Sequence, residues 1–192
     1  MKKLQISFGF CGMTCFLLWL NLQIGSCFLL GTIVHELGHL LTMVILRVSV
    51  YGVSLTIAGA QIRSGPMSNA KEALCALAGP FSNMVLGAFV LHTMSQLAIV
   101  NFCLAAVNLL PLYPLDGGRI LLCVLRTYLT EKRLGQVMQI VNTVVCVLLM
   151  ISACWAAIYL QAGLWPIFTA LALLWRAGNQ ENYCISWPGR IK

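Results

Sequence analysis

The sequence predicts an all-α membrane protein with about six transmembrane helices and a short β-hairpin at residues 52–65. Three observations predict this fold class. Of the 192 residues, 60% are hydrophobic and only 9% are charged, so a soluble globule could not bury the apolar side chains. Several uncharged stretches reach the ~18 apolar residues that a spanning helix needs. Lys and Arg residues lie between these stretches, which is typical of membrane topology signals.

The predicted spans follow the apolar stretches in order. The uncharged run between Lys3 and His35 holds the first span and the start of the second, and the later runs 73–115 and 134–175 are each long enough for two. The fourth and sixth spans are short, so one or both could be tilted or re-entrant. The spans cover about residues 5–20, 24–46, 72–94, 97–115, 137–159 and 163–176.

Two further features complete the predicted architecture. Residues 52–65 alternate loosely between apolar and polar side chains, which favours a hairpin at the membrane edge. Neither repeats nor low-complexity linkers interrupt the chain, so we expect one domain over residues 1–192. The amino-terminal stretch is similar to a signal sequence, but an uncleaved first span is the expected outcome because more spans follow at once.

The positive charges predict the orientation in the membrane. With the amino terminus in the cytoplasm, all twelve Lys and Arg residues fall in cytoplasmic segments. We therefore expect a multi-pass protein of the cell membrane with both termini cytoplasmic. The twelve residues are Lys2, Lys3, Arg47, Arg63, Lys71, Arg119, Arg126, Lys132, Arg133, Arg176, Arg190 and Lys192.

Charge and cysteine usage exclude two other classes of protein. The net charge of +7 does not come from a basic patch interleaved with aromatic residues, so nucleic acid is not an expected partner. The nine cysteines form no CxxC pair and lie mainly in apolar segments. We interpret most of them as small buried hydrophobic residues and expect neither a disulfide framework nor a zinc knuckle.

The segment 35–39, with the sequence HELGH, carries the strongest chemical signal in the chain. On a helix, His35 and His39 project from one face and can hold one zinc ion, with Glu36 beside the open coordination position. The segment lies about twelve residues, or ~18 Å of helix, from Arg47. Ionisable groups near mid-membrane are costly and usually functional, so we interpret this segment as a metal site rather than as ordinary helix surface.

A catalytic zinc ion needs a third protein ligand. Asp116 is the favoured carboxylate, because it follows an apolar run interrupted by Pro111 and Pro114, and such a segment at membrane depth suits a buried site. A capping aspartate at the cytoplasmic border is the alternative interpretation of Asp116, and His92 is the other candidate ligand. The remaining carboxylates near basic or polar neighbours are expected to be solvated surface charges: Glu72, Glu131 and Glu181.

Three sequence blocks together resemble the site-2 proteases, and most closely the small bacterial branch that includes sporulation pro-sigma-factor processing enzymes. The blocks are residues 35–39 (HELGH), 78–83 (AGPFSN) and 108–118 (NLLPLYPLDGG). The resemblance covers a catalytic core of about residues 24–122, and it makes 5–20 and 137–176 accessory helices. Larger relatives carry PDZ or CBS domains, and we expect this chain to work without either.

The resemblance implies an intramembrane zinc metalloendopeptidase that cuts a membrane-embedded or membrane-associated protein, with release of a transcription factor as one outcome. It implies one Zn²⁺ per chain held by His35, His39 and Asp116, Glu36 as general base, and Asn108 holding the scissile carbonyl. Asn108 as a plain interhelical hydrogen-bonding residue is the alternative. The 78–83 block is expected to shape helix packing without a catalytic role. A regulatory membrane protein is a further candidate partner.

Two competing classes of function are open at this point. A catalytically silent membrane protein of the same fold would bind partners without cutting them, but such a relative would be free to lose Glu36. A transporter would use the intramembrane His and Asp as a proton or metal path, but the chain lacks the internal duplication that many transporters show.

Overall fold

The computed structural model describes residues 3–6, 12, 15, 18–19, 21–56, 59–159 and 171. Most of them are helical, and the chain divides into two compact units, Met1–Leu109 and Leu110–Lys192. The first unit holds strands β1 (Lys3–Ile6), β2 (Val50–Thr56) and β3 (Gly59–Ser64) and helices α1 (Leu22–Ile45), α2 (Asn69–Val90) and α3 (Ser95–Asn108). The second holds α4 (Asp116–Arg126) and α5 (Glu131–Tyr159).

Within the described residues, three helices are long and apolar enough to cross a membrane: α1, α2 and α5. They coincide in position with the second, third and fifth predicted spans, whereas α3 is an apolar helix of only 14 residues. Large apolar side chains such as Leu41, Val44 and Phe89 point outward and are exposed. Lipid is the solvent that accommodates such a surface. The sixth predicted span, 163–176, and most of the first, 5–20, lie outside the described residues.

The three strands form a small sheet in the order β1-β2-β3. Strands β2 and β3 pair antiparallel, with Val53 opposite Ile62, and they lie where the hairpin at 52–65 was expected. Strand β1 pairs parallel to β2, with Leu4 opposite Val53. Residues 5–6 therefore extend a sheet instead of opening the first helical span.

Helices α1 and α2 pack closely because small residues face each other. A Cβ atom added to Gly38 would approach the carbonyl oxygen of Ala78 to 2.7 Å and the hydroxyl oxygen of Ser82 to 2.6 Å. The same Ser82 hydroxyl donates to the carbonyl of Val34 over 3.1 Å. Small residues that allow such close contact are the usual means by which helices associate in a membrane.

The second unit begins with an irregular segment that leads into α4. Helix α3 ends at Asn108, before the predicted limit of 115, and α4 begins only at Asp116. Pro111 and Pro114 cannot donate a backbone hydrogen bond, so the helix does not continue through them. The backbone N–H of Tyr113 instead donates to Asn142 Oδ1 over 3.0 Å, which anchors the segment to α5.

The two glycines after Asp116 are part of α4. A Cβ atom at Gly118 would clash with the backbone of Leu112 and Tyr113. This glycine therefore lets the irregular segment fold back against the first turn of α4. Leu112, Leu115 and Cys146 form a core beside it, and a second core contains Leu122, Leu134 and Met138.

Candidate metal centre

Helix α1 presents His35 and His39 on its buried face, where both side chains are only 5–6% exposed. The face repeats every four residues, through Gly31, His35, His39 and Met43, as helical geometry requires. The Nε2 atoms of the two histidines lie 3.1 Å apart. Two nitrogens bound to one tetrahedral zinc ion at ~2.0–2.1 Å are separated by about 3.3 Å. The pair therefore has the spacing that a shared zinc ion requires.

The backbone of α2 orients the ring of His39. Its Nδ1 atom lies 2.6 Å from the carbonyl oxygen of Cys75. A carbonyl oxygen can only accept, so Nδ1 carries the proton and donates it. In a neutral ring, Nε2 is then the unprotonated nitrogen that can bind a metal. Cys75 is buried and contributes its backbone carbonyl.

A second residue of α2 contacts His35. Asn83 is completely buried, and its Nδ2 atom lies 3.4 Å from Nδ1 of His35. Gly79 lies between these two contacts on the same face of α2. A Cβ atom at this position would clash with the imidazole of His39 and come within 2.8 Å of Cε1 of His35. Only glycine leaves room for both rings, so the 78–83 block shapes this site directly as well as the helix packing.

Asp116 is the first residue of α4 and is 6% exposed. Its Oδ1 lies 3.6 Å from a guanidinium nitrogen of Arg119. His35 and His39 belong to the first compact unit and Asp116 to the second, and all three side chains are buried and of the types that bind zinc. Two imidazoles and one carboxylate match the ligand set of known catalytic zinc sites.

Other candidate residues of the sequence take different positions. Glu36 is half-buried on α1, one residue beyond His35 and three before His39. Asn108 ends α3, half-buried, and its amide donates to the carbonyl of Leu104 over 3.0 Å. His92 is exposed in the turn after α2.

One expectation about a carboxylate was wrong. Glu72 was expected to be a solvated surface charge, but its side chain is only 5% exposed in the first turn of α2. Its buried position follows from the helix face that it occupies, because Glu72, Cys75 and Gly79 are spaced by three and four residues along the side that faces inward. Glu131, by contrast, is exposed.

Sequence reasoning missed the residues of α2 that line the histidines. Cys75, Gly79 and Asn83 are spaced by four residues and are all buried, so they share one face of the helix. A glycine and an asparagine at this spacing in an apolar helix were the available signal. The partner that this face contacts could not be read from the spacing.

Comparisons with known proteins show what this chain is similar to. The model of "Peptidase family M50" matches residues 76–152. "Stage IV sporulation protein FB" of Bacillus subtilis (strain 168) is 29% identical over 173 residues, which cover 82% of this chain. The chain spans about three fifths of that relative's length (59%). The solved structure "Site-2 Protease from Methanocaldococcus jannaschii" superposes with a TM-score of 0.70, covering 98% of this chain and 94% of that one. At 17% identity, this last similarity shows the fold.

Proposed function

We propose that the chain is an intramembrane zinc metalloendopeptidase of the site-2 protease family, and its similarities to "Peptidase family M50" and to "Stage IV sporulation protein FB" support this. It hydrolyses a peptide bond within or next to the membrane-embedded segment of a protein substrate. The observation that carries this proposal is the buried pair His35 and His39, whose Nε2 atoms lie 3.1 Å apart on an apolar helix long enough to cross a membrane. Burying ionisable side chains in such surroundings costs free energy, so those that occur there are usually functional.

His35, His39 and Asp116 hold one zinc ion in this proposal, with the metal-binding nitrogens supplied by Nε2 of each imidazole. The hydrogen bond from His39 Nδ1 to Cys75 supports this arrangement, because it leaves Nε2 of that ring available. When bound, zinc lowers the pKa of a coordinated water molecule and polarises the carbonyl of the scissile peptide.

Glu36 acts as the general base and then as the general acid. Its position on α1, three residues before His39, supports this role, because residues three apart are neighbours on a helix surface. From there it accepts a proton from the attacking water and passes it to the departing amine. Asn108 stabilises the scissile carbonyl through its side-chain amide, whose NH₂ group has a second N–H besides the one donated to Leu104.

The membrane surroundings of the site determine which kind of substrate segment can be cut. A peptide bond inside a transmembrane helix has its backbone hydrogen bonds satisfied, so the substrate must unwind locally before it is cut. Segments with helix-weakening residues near the cleavage point are therefore preferred. Cleavage of this kind can release or activate a membrane-held transcription factor, and a regulatory membrane protein would control access to the site.

Metal removal tests the proposal directly. The purified full-length chain is expected to contain about one zinc per molecule. A chelator should stop cleavage of a membrane-anchored substrate, and added Zn²⁺ should restore it. The measurements are metal analysis and the shortened product on a gel, with Mg²⁺ addition as the control. Full cleavage by protein without zinc would contradict the proposal.

The membrane orientation gives a second test. We propose a multi-pass layout with both termini in the cytoplasm, because all twelve Lys and Arg residues then lie on that side. A reporter fused after Lys192 or inserted within residues 52–65 should be cytoplasmic, and one near Ser95 external. An external signal from 52–65 would reverse the layout, and the active site would no longer open toward the cytoplasm.

A further inference from the structure

Asn83 is a buried asparagine whose side chain is only partly used. It is 0% exposed on the face of α2 that contacts the histidines. Its Nδ2 atom lies 3.4 Å from Nδ1 of His35, while its Oδ1 has no hydrogen-bond partner among the described residues. A buried polar atom without a partner costs ~1–3 kcal/mol, so such an atom needs an explanation.

The nitrogen of His35 that carries the proton determines whether Nδ2 or Oδ1 of Asn83 can hydrogen-bond to the ring. With Nδ2 of Asn83 as donor, Nδ1 of His35 must be unprotonated, and a neutral ring then carries its proton on Nε2. A protonated Nε2 cannot bind a metal. With Oδ1 as acceptor, the proton sits on Nδ1 and Nε2 is available. The two orientations differ only by a 180° rotation of the amide about its terminal bond.

We propose that Asn83 is the positioning residue of His35: its Oδ1 accepts the Nδ1 proton and thereby holds Nε2 in the form that binds the metal. This inference rests on the proposed zinc site. The rotation gives the buried Oδ1 its missing partner. The two histidines then have equivalent hydrogen bonds, because the carbonyl oxygen of Cys75 accepts the Nδ1 proton of His39. Helix α2 then supplies an acceptor behind each imidazole, and such partners raise metal affinity.

The test compares zinc affinity in three variants of the full-length, detergent-solubilised chain by competition with a chelator. Asn83→Leu keeps the number and branching of the side-chain heavy atoms but removes the acceptor, so affinity should fall by about 10–100-fold. Asn83→Asp keeps an acceptor oxygen and should bind zinc about as tightly as the wild type. Asn101→Leu is the matched control, because Asn101 is equally buried with an unpartnered Oδ1 but donates to Leu97 on its own helix. Its zinc affinity should be unchanged.

A second measurement does not depend on whether Asn83→Leu folds. The chain has only three histidines, so ¹⁵N-histidine spectra of the zinc-loaded wild type are simple to assign. We expect Nδ1 of His35 to be protonated and Nε2 to be the bound nitrogen. An unprotonated Nδ1 would overturn the proposal, and so would an Asn83→Leu variant with wild-type affinity.

Two further outcomes also count against this role. An Asn83→Asp variant that loses as much affinity as Asn83→Leu would make the role of Asn83 one of shape only. Equal loss in Asn101→Leu would indicate a general packing effect. A wild-type chain that does not bind zinc at all would instead contradict the proposed function, so the two failures are distinguishable.

Discussion

Replacing Glu36 by Gln should lower the rate of substrate cleavage by about 10²–10⁴-fold while leaving the zinc content unchanged, because general base catalysis typically contributes that much. Glutamine keeps the size of the side chain but cannot accept the proton. The proposed ligands His35 and His39 are untouched, and their contacts with each other and with Cys75 do not involve Glu36. The measurement is co-expression with candidate membrane-anchored substrates, followed by the shortened product on a gel.

The matched control is Glu131→Gln, which removes an exposed carboxylate in the first turn of α5. It should leave both zinc content and cleavage unchanged. Near-normal cleavage by a zinc-loaded Glu36→Gln protein would contradict the metalloprotease mechanism. A silent partner-binding protein would give no cleavage product as wild type or as either variant, so the comparison also separates the two classes of function. Uncut substrate that stays bound to the variant would identify the natural substrate.

The histidine pair could be predicted from the sequence because its information is local. Residues four apart on a helix share a face whatever that helix packs against, and His35 and His39 lie on a continuous helix with their Nε2 atoms 3.1 Å apart. The third candidate ligand is harder to predict from the sequence, because Asp116 lies 77 positions after His39 along the chain. No local pattern determines such a pairing, and Asp116 was favoured because it follows an apolar run interrupted by Pro111 and Pro114, whereas the other carboxylates lie near basic or polar neighbours.

The lining of the site shows where sequence reasoning stops. Gly79 and Asn83 were assigned to helix packing, yet a side chain at Gly79 would clash with His39, and Asn83 contacts His35. The inward face of α2 could be read from the spacing of its small and polar residues. Which face of α1 it meets depends on how two helices pack, and hydrophobic periodicity does not determine that.

The fold shows the same division between local and long-range information. Long apolar runs predicted α1, α2 and α5 because length and composition are enough to identify a candidate span. Strand β1 was not predicted, since its pairing with β2 joins residues about fifty positions apart and Lys3–Ile6 carries no strand signal of its own. Helix α4 was also missed, because two glycines normally weaken a helix, whereas Gly118 is needed there for the approach of Leu112.

Replacing Asp116 by Ala should lower zinc affinity by at least the 10–100-fold that loss of an outer-shell partner costs, and cleavage should fall with it. The reason is that two imidazoles alone do not complete a catalytic zinc site. Zinc content after dialysis against a chelator and the rate of substrate cleavage are the two measurements. The control must account for the position of Asp116 at the start of α4, where it pairs with Arg119 over 3.6 Å.

Arg119→Ala provides that control, because it breaks the same ion pair but spares the carboxylate. An ion pair of this kind contributes little to stability when one partner is partly exposed, so Arg119→Ala should retain zinc and activity. His92→Ala tests the other candidate ligand and should also behave as wild type, since His92 is exposed. If Asp116→Ala retains zinc and cleavage while His92→Ala loses both, the third ligand has been misassigned. Loss in Asp116→Ala with retention in both controls would leave Asp116 as the ligand, because neither the ion pair nor the second histidine could then account for the effect.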